Sequence, residues 1–297
     1  GGNFNTVQAA INSVPNYSST PITIYIKAGK YKEVVTIPSS KHNLNIIGEN
    51  RDTTIITYDN YNAKPNGNGG TYGTGGSASV FIQGSDITVQ NLTIENSFIE
   101  KGNNGEQAVA LNVTGPRVSF NNCNFLGNQD TLLADGNTQY FYNCFIQGDV
   151  DFIFGRSQAV FERCNIYSLN RGSAYNNGYI TAARTEASKP YGFLFLNCNL
   201  LAQSGTANNS VYLGRPWCPS GTSVDKPSVV FKQCSLGGHI KSEGWTSMSG
   251  VPASHGRFYE YKNTGAGANT ARPQLADWQA NNWTKTNVLG GWNPSFR

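Results

Sequence analysis

Two aspartates stand out by their spacing. Asp130 lies in GNQDTLL (127–133) and Asp151 in GDVDFIFG (148–155), 21 residues apart, and each follows a cysteine, Cys123 or Cys144, by seven positions. A lone Asp in a Gly-rich turn ordinarily bonds its own backbone. Two that recur at the same place in neighbouring layers of a stacked chain have Cα atoms roughly 5 Å apart. Ionised carboxylates at that distance repel, so one pKa rises and a neutral acid stands beside a carboxylate. Such a pair, flanked by apolar and aromatic residues, points to catalysis. Gln129 precedes Asp130, and Gln107 lies one repeat earlier in EQAVALNV (106–113); amide donors stabilise an oxyanion. Arg215 and Trp217, in YLGRPW (212–217), offer a cation that holds a carboxylate ionised and a ring that stacks on a sugar face. Taken singly, each has an ordinary role as a solvated amide, a surface ion pair or a packed ring.

What brings the aspartates together is a repeat. Five cysteines end similar hexapeptides: VSFNNC (118–123), QYFYNC (139–144), AVFERC (159–164), FLFLNC (193–198) and VVFKQC (229–234). ITVQNL (87–92) is a sixth copy with Leu92 in the cysteine position. Three positions earlier stand Val89, Phe120, Phe141, Phe161, Phe195 and Phe231. Two positions later stand Ile94, Phe125, Ile146, Ile166, Leu200 and Leu236. Inward positions on one strand are two apart, so a step of three between columns requires a bend between two short strands. The residue at the bend is Asn91, Asn122, Asn143, Arg163, Asn197 or Gln233. Asn tolerates left-handed backbone and can bond an identical neighbour one layer away. The pattern predicts an all-β parallel β-helix with stacked Phe, Cys/Leu and Ile/Leu/Phe columns inside. The cysteines read as small buried core residues, while a bridge between layers such as Cys123–Cys144 is also within geometric reach. Cys218 stands outside the pattern.

Residues 3–14 set Phe4, Val7, Ala10, Ile11 and Val14 on one helical face after an Asn cap, which suits a short helix closing the first turn. Residues 273–286, with Leu275, Trp278 and Trp283, suit a closing helix, and the Gly/Asn-rich stretch 60–79 suits a long loop. Residues 1–297 read as a single domain. Charged residues make up 13% and the net charge is +4 without a Lys/Arg block, which argues against a disordered chain and a nucleic-acid partner. No apolar run is long enough to span a membrane, and no signal peptide is read at Gly1. No C-x-x-C pair, phosphate-binding loop or G-x-S-x-G elbow occurs, so no metal, cofactor or serine nucleophile is expected. Sequons at Asn16, Asn91, Asn112, Asn208 and Asn282 are candidate glycan acceptors.

The chain resembles the pectin methylesterase family, carbohydrate esterases with a right-handed parallel β-helix. The resemblance spans nearly the whole chain. GNFNTVQAAINSVP, AGKYKE (28–33), EQAVAL, GNQDTLL, GDVDFIFG and YLGRPW follow the family's order, and EYKNTGAGA (260–268) and WNP (292–294) resemble its closing region. Two departures are ITAART (180–185), without the Gln many members have after ITA, and Met248, where plant members often have Trp. The resemblance implies that Asp151 is the nucleophile, Asp130 the acid/base, Gln107 and Gln129 the anion hole, and Arg215 the partner of Asp151. It further implies that Trp217, with Phe152 and Tyr179, contacts substrate. The implied reaction removes the C6 methyl ester of galacturonate in pectin and releases methanol, with no cofactor. The implied protein is a secreted, extracellular monomer, with a protein inhibitor as a candidate second partner and no nucleic-acid or membrane partner. A β-helix glycoside hydrolase or lyase and an inactive carbohydrate-binding solenoid are the rival readings. Methanol release without new reducing ends separates all three.

Overall fold

The structure, a computed structural model, describes residues 2–296; Gly1 and Arg297, the ends of the expected 1–297 domain, lie outside it. The chain coils through three sheets of nine, eight and seven strands, and every neighbouring pair within them is parallel. The first sheet runs from Ile22–Ile26 to Arg257–Tyr261, the second from Gly29–Lys32 to Ser235–Leu236, and the third from Val35–Ile37 to Val211–Gly214. Each full turn contributes one short strand to each sheet. This is the parallel β-helix that the repeat predicts, with a third strand per turn that the paired-strand pattern does not contain.

The bend between first and second sheets has the backbone form that the sequence pattern requires. Asn91, Asn122, Asn143, Arg163, Asn197 and Gln233 all have φ between 53° and 56°. One left-handed residue reverses the alternation, so the Phe before it and the Cys after it both face inward. The Asn122 amide donates to Asn91 Oδ1 one turn away at 2.9 Å, as expected of an asparagine ladder. Arg163 interrupts the Asn series further on.

Inside, Phe120, Phe141, Phe161, Phe195 and Phe231 stack face to face with centroids 4.4–4.8 Å apart. Strand pairing puts each ring directly over the next. Cys123, Cys144, Cys164, Cys198 and Cys234 form a second buried column, and all are free thiols. Each Sγ lies 3.2–3.7 Å from a carbonyl of the preceding turn, a weak S–H donor bond. They are packing residues, and burial pushes the thiols of Cys123, Cys164 and Cys234 well above their ordinary range.

The ends differ from expectation in detail. The first helix is Val7–Ser13, capped by Thr6 Oγ1 rather than by an Asn. The Glu33 carboxylate also accepts from the Val7 and Gln8 N–H groups at 2.8 and 2.9 Å, placing negative charge on the helix N-terminus. Phe4 lies outside the helix and is largely exposed, while Val7, Ala10, Ile11 and Val14 are buried over the first turn. The closing segment forms two single-turn helices, Asp277–Ala280 and Lys285–Val288, instead of one. It packs along the outer face of the first sheet rather than across the end of the coil. Leu275, Trp283, Val288 and Leu289 cover Tyr140, Val160, Leu194 and Val230, and Trp278 is 70% exposed. Lys232 ties the segment down by donating to the carbonyls of Ala280 and Trp283. The stretch 60–79 is a loop interrupted by the four-residue helix Gly73–Gly76. No helix among the described residues is long and apolar enough to cross a membrane.

Phe141 sits mid-column with a ring on each side. Phe141→Ala is expected to lower unfolding free energy by about 3–5 kcal/mol, as for other buried aromatics. Urea unfolding checks this, and a loss under about 1 kcal/mol, the scale of an ordinary surface change, contradicts the column.

Candidate active site

The third sheet carries the site on its outer face. Leu132–Ala134 pairs with Val150–Gly155 so that Leu132 lies over Ile153, the 21-residue offset that separates Asp130 from Asp151. The Asp130 N–H donates to the Val150 carbonyl at 3.0 Å, so the two aspartates belong to adjacent turns as expected. Both have left-handed backbone, φ 66° for Asp130 and 50° for Asp151. Asp is one of the few residues that takes this form at small cost. The turn lifts the carboxyls off the core face but leaves them little water: Asp130 is 8% exposed and Asp151 4%. Gly178, on the next turn, has φ 128°, and a Cβ there would lie 1.9 Å from the Asp149 carbonyl, so only glycine fits beneath this corner.

Arg215 follows the strand Val211–Gly214 and is fixed by its own N–H to the Thr181 carbonyl at 3.0 Å. Its Nε donates to Asp151 Oδ1 at 2.8 Å and its Nη2 to Oδ2 at 2.7 Å, a two-pronged charge-assisted pair. The guanidinium lies 3.9 Å from the centre of the Tyr179 ring, which stacks on Tyr212 at 5.4 Å. Tyr179 is thereby a support for the arginine at the rim of the site.

Charge separates the two carboxyls. Burial pushes the Asp130 carboxyl well above the ordinary range, and the negative charge of Asp151 pushes it further, while Arg215 acts against both. Burial also raises Asp151, but its hydrogen bonds and ion pair with Arg215 oppose that rise. Both carboxyls are raised, Asp130 the further of the two, so Asp130 is the later to lose its proton.

The glutamines sit on consecutive turns, linked by the Ala108 N–H to the Gln129 carbonyl at 3.2 Å. Gln107 Oε1 accepts from Asn62 Nδ2 at 2.9 Å, and the Gln129 N–H is held by Glu100 Oε1 at 2.9 Å. Neither glutamine's Nε2 donates to a protein atom among the described residues, so both amides have donors to spare.

Trp217 is half-buried beside the site. It lies 5.7 Å from Phe154, with the Arg184 guanidinium 5.2 Å from its ring centre. Val109, Leu133, Phe154 and Ala182 complete an apolar outer patch, with Phe81 and Trp217 packed against it. Phe152 does not join them. It is 0% exposed and belongs to the solenoid core, so the expectation that it contacts substrate is corrected; Phe154, itself 3% exposed, is the phenylalanine that packs under Trp217. The cause is local. The strand register shifts between Val150 and Ile153, and the left-handed Asp151 breaks the alternation, sending Phe152 and Ile153 inward and Phe154 outward. Only the bulge distinguishes the two phenylalanines, and strict alternation from the sequence cannot locate it.

Sequence reasoning also passed over a charged triad beneath Gln129. Arg171 Nη1 donates to Asp149 Oδ2 at 2.8 Å and lies 3.5 Å from Glu100 Oε2. Asp149 is nearly fully buried and stands in the same GDVDFIFG motif as Asp151, which was the one available signal. Burial, with help from Asp149, raises the Glu100 carboxyl.

A family model described as Pectinesterase matches residues 1–289. Pectinesterase A from Dickeya dadantii is 36% identical over 332 aligned residues, covering 100% of this chain and 89% of the relative. A solved pectin methylesterase from Erwinia chrysanthemi superposes with a TM-score of 0.92 at 34% identity, covering 100% of this chain and 96% of that one. A solved pectin methylesterase in complex with a hexasaccharide superposes with a TM-score of 0.91, at the same identity and coverage. The register, the paired carboxyls and these likenesses agree: the chain belongs to the pectinesterase family of carboxylic ester hydrolases and is built as a right-handed parallel β-helix.

Proposed function

We propose that Asp151 is the nucleophile of this pectinesterase and Asp130 its acid/base, acting on the C6 methyl ester of galacturonate. The observation that carries this is the two-pronged Arg215–Asp151 pair beside Asp130, which makes no ion pair among the described residues. An ionised Asp151 oxygen attacks the ester carbonyl carbon. The carbonyl electrons move to oxygen, and the spare amide N–H groups of Gln107 and Gln129 stabilise the resulting oxyanion. The tetrahedral centre collapses, the bond to the methoxy oxygen breaks, and Asp130 gives it a proton so that methanol leaves. Asp151 is left acylated as an anhydride. Asp130, now ionised, takes a proton from water, whose oxygen attacks the anhydride and releases the galacturonate carboxyl and free Asp151. Trp217, seated on the buried Phe154, and Tyr179 form the aromatic side of a groove open to a long polymer. The reading extends to one functional unit over the chain, secreted to the cell wall, with glycans at exposed sequons such as Asn208 and Asn282. It acts as a monomer that a protein inhibitor would block by covering the groove.

Wild-type protein is expected to release methanol from methyl-esterified pectin without new reducing ends. Asp151→Asn should abolish this, and Asp130→Asn should slow it about 10²–10⁴-fold, the usual worth of general acid–base help. An activated ester, whose leaving group needs no proton, should partly rescue Asp130→Asn alone. Equal rescue of both variants reverses or removes the assignment.

The pH profile follows from the two shifted carboxyls. Asp151 must be ionised, so activity falls as pH drops through its pKa. Asp130 must hold a proton, so activity falls as pH rises through its elevated pKa. Arg215 lowers both pKa values, and Arg215→Gln should therefore move both limbs of kcat/KM to higher pH as well as reducing its maximum. An unmoved acid limb contradicts the pairing.

Trp217→Ala is expected to raise KM for pectin more than it lowers kcat, while leaving the melting temperature near the parent's. Unchanged KM on a polymeric substrate argues against a substrate contact.

A further inference from the structure

The Gly/Asn-rich stretch 60–79 has no catalytic assignment, yet one of its residues reaches the site. Asn62 grips Gln107 at both of its carbonyls. Its main-chain N–H donates to the Gln107 main-chain oxygen at 2.8 Å, and its side-chain Nδ2 donates to Gln107 Oε1 at 2.9 Å. Asn62 is itself well placed. The next residue, Ala63, donates to the Gly105 carbonyl at 2.9 Å, and the Asn62 carbonyl accepts from the Gly73 N–H at 3.0 Å. Tyr61 stacks on Phe98 with centroids 4.2 Å apart. The buried Asn96 side chain bridges the root of the loop, donating to the Asn60 and Val109 carbonyls at 2.8 and 2.9 Å. The charged neighbours are engaged elsewhere. Lys64 and Lys32 pair with Asp59, and Glu106 accepts from the Lys101 and Gly102 N–H groups and the Asn103 amide.

A primary amide has two unlike ends of nearly equal size. A half-turn about its last bond replaces donor by acceptor with little steric cost, and an acceptor facing a developing oxyanion repels it. An anion-hole donor therefore needs something that decides which end faces the substrate. We propose that Asn62 is that positioning residue: by donating to Oε1 it commits the amide oxygen of Gln107 and leaves the Nε2 donors for the oxyanion. This rests on Gln107 serving in the anion hole.

Asn62→Asp tests it, because the replacement has the same shape and, when ionised, can only accept. It should draw Nε2 of Gln107 toward itself and turn Oε1 to the substrate. With methanol release from highly methyl-esterified pectin as the assay, kcat near neutral pH should fall toward the ~10²–10³-fold that one oxyanion donor is worth. KM should change little. The ratio of variant to parent should recover as pH falls toward the ordinary Asp pKa of about 4, where the new carboxyl regains a proton to donate. Asn62→Ala, which leaves the amide free to turn, should show a smaller kcat loss with no such recovery, and it serves alone if the Asp variant does not fold. Parental kcat in Asn62→Asp at neutral pH, a loss in it that pH does not reverse, or parental kcat in Asn62→Ala overturns the proposal. Gln107→Ala, measured alongside, separates the two levels. Full kcat in that variant removes the anion-hole reading and the positioning role with it. A deficit there beside unaffected Asn62 variants removes the positioning role alone.

Discussion

Everything in this molecule depends on register between successive turns of the coil. Parallel strands hydrogen-bond only at fixed offsets, and a slip of one residue would send every inward side chain outward. The stacked phenylalanines make such a slip costly, since each ring inside the column loses both of its neighbours at once. A left-handed residue at each bend lets one turn present Phe and Cys to the same interior. The core is thus a ruler, and its 21-residue division between two turns delivers Asp130 and Asp151 to one place.

That placement is expensive. Two carboxyls with almost no exposure to water lie on adjacent turns, and burial alone disfavours the charge of each. Arg215 offsets the cost for one of them, and its planar fork satisfies both oxygens of Asp151. Asp130 makes no such ion pair among the described residues, and its carboxyl is held well above the ordinary range. One cation shared unequally between two similar acids therefore produces two unlike groups. The Asp149–Arg171–Glu100 cluster extends this polarity below the site. Asp149 and Glu100 both add to the rise at Asp130, while Arg171 is the counter-charge that lies between them.

The coil supplies the acids and the arginine, while less regular segments supply groups around them. Asn62 comes from a loop with little regular structure, and Trp217 lies just beyond the last strand of the third sheet. Arg171 comes from the connection between Asn165–Ser168 and Gly178–Ala183. Rigid turns hold groups that must not move, and longer connections provide contacts that a repeating unit cannot encode. The closing segment illustrates the same division on another face. It adds no turn, yet it covers the outer aromatic and aliphatic side chains of the first sheet that a bare coil would leave in water.

The sequence by itself determined the coil. Apolar columns with a step of three, and an Asn-rich position at the bend, are local patterns that only a left-handed corner between short strands satisfies, and every one of those corners is found. It also determined that Asp130 and Asp151 meet, because equal distance from a stacked residue means equal place in adjacent turns. The motifs also single out Gln107, Gln129 and Arg215, and the structure sets the glutamines on consecutive turns and Arg215 on Asp151. What the tertiary structure decided is what no period carries. The bulge at Asp151 turned Phe152 into the solenoid core and Phe154 to the outer cluster under Trp217, because one irregular residue shifts phase without changing composition. The helix cap at Thr6, the course of residues 273–286 and the grip of Asn62 on Gln107 depend on contacts between residues far apart in sequence. Those contacts exist only once the coil has set its surfaces, so local pattern has no means of recording them.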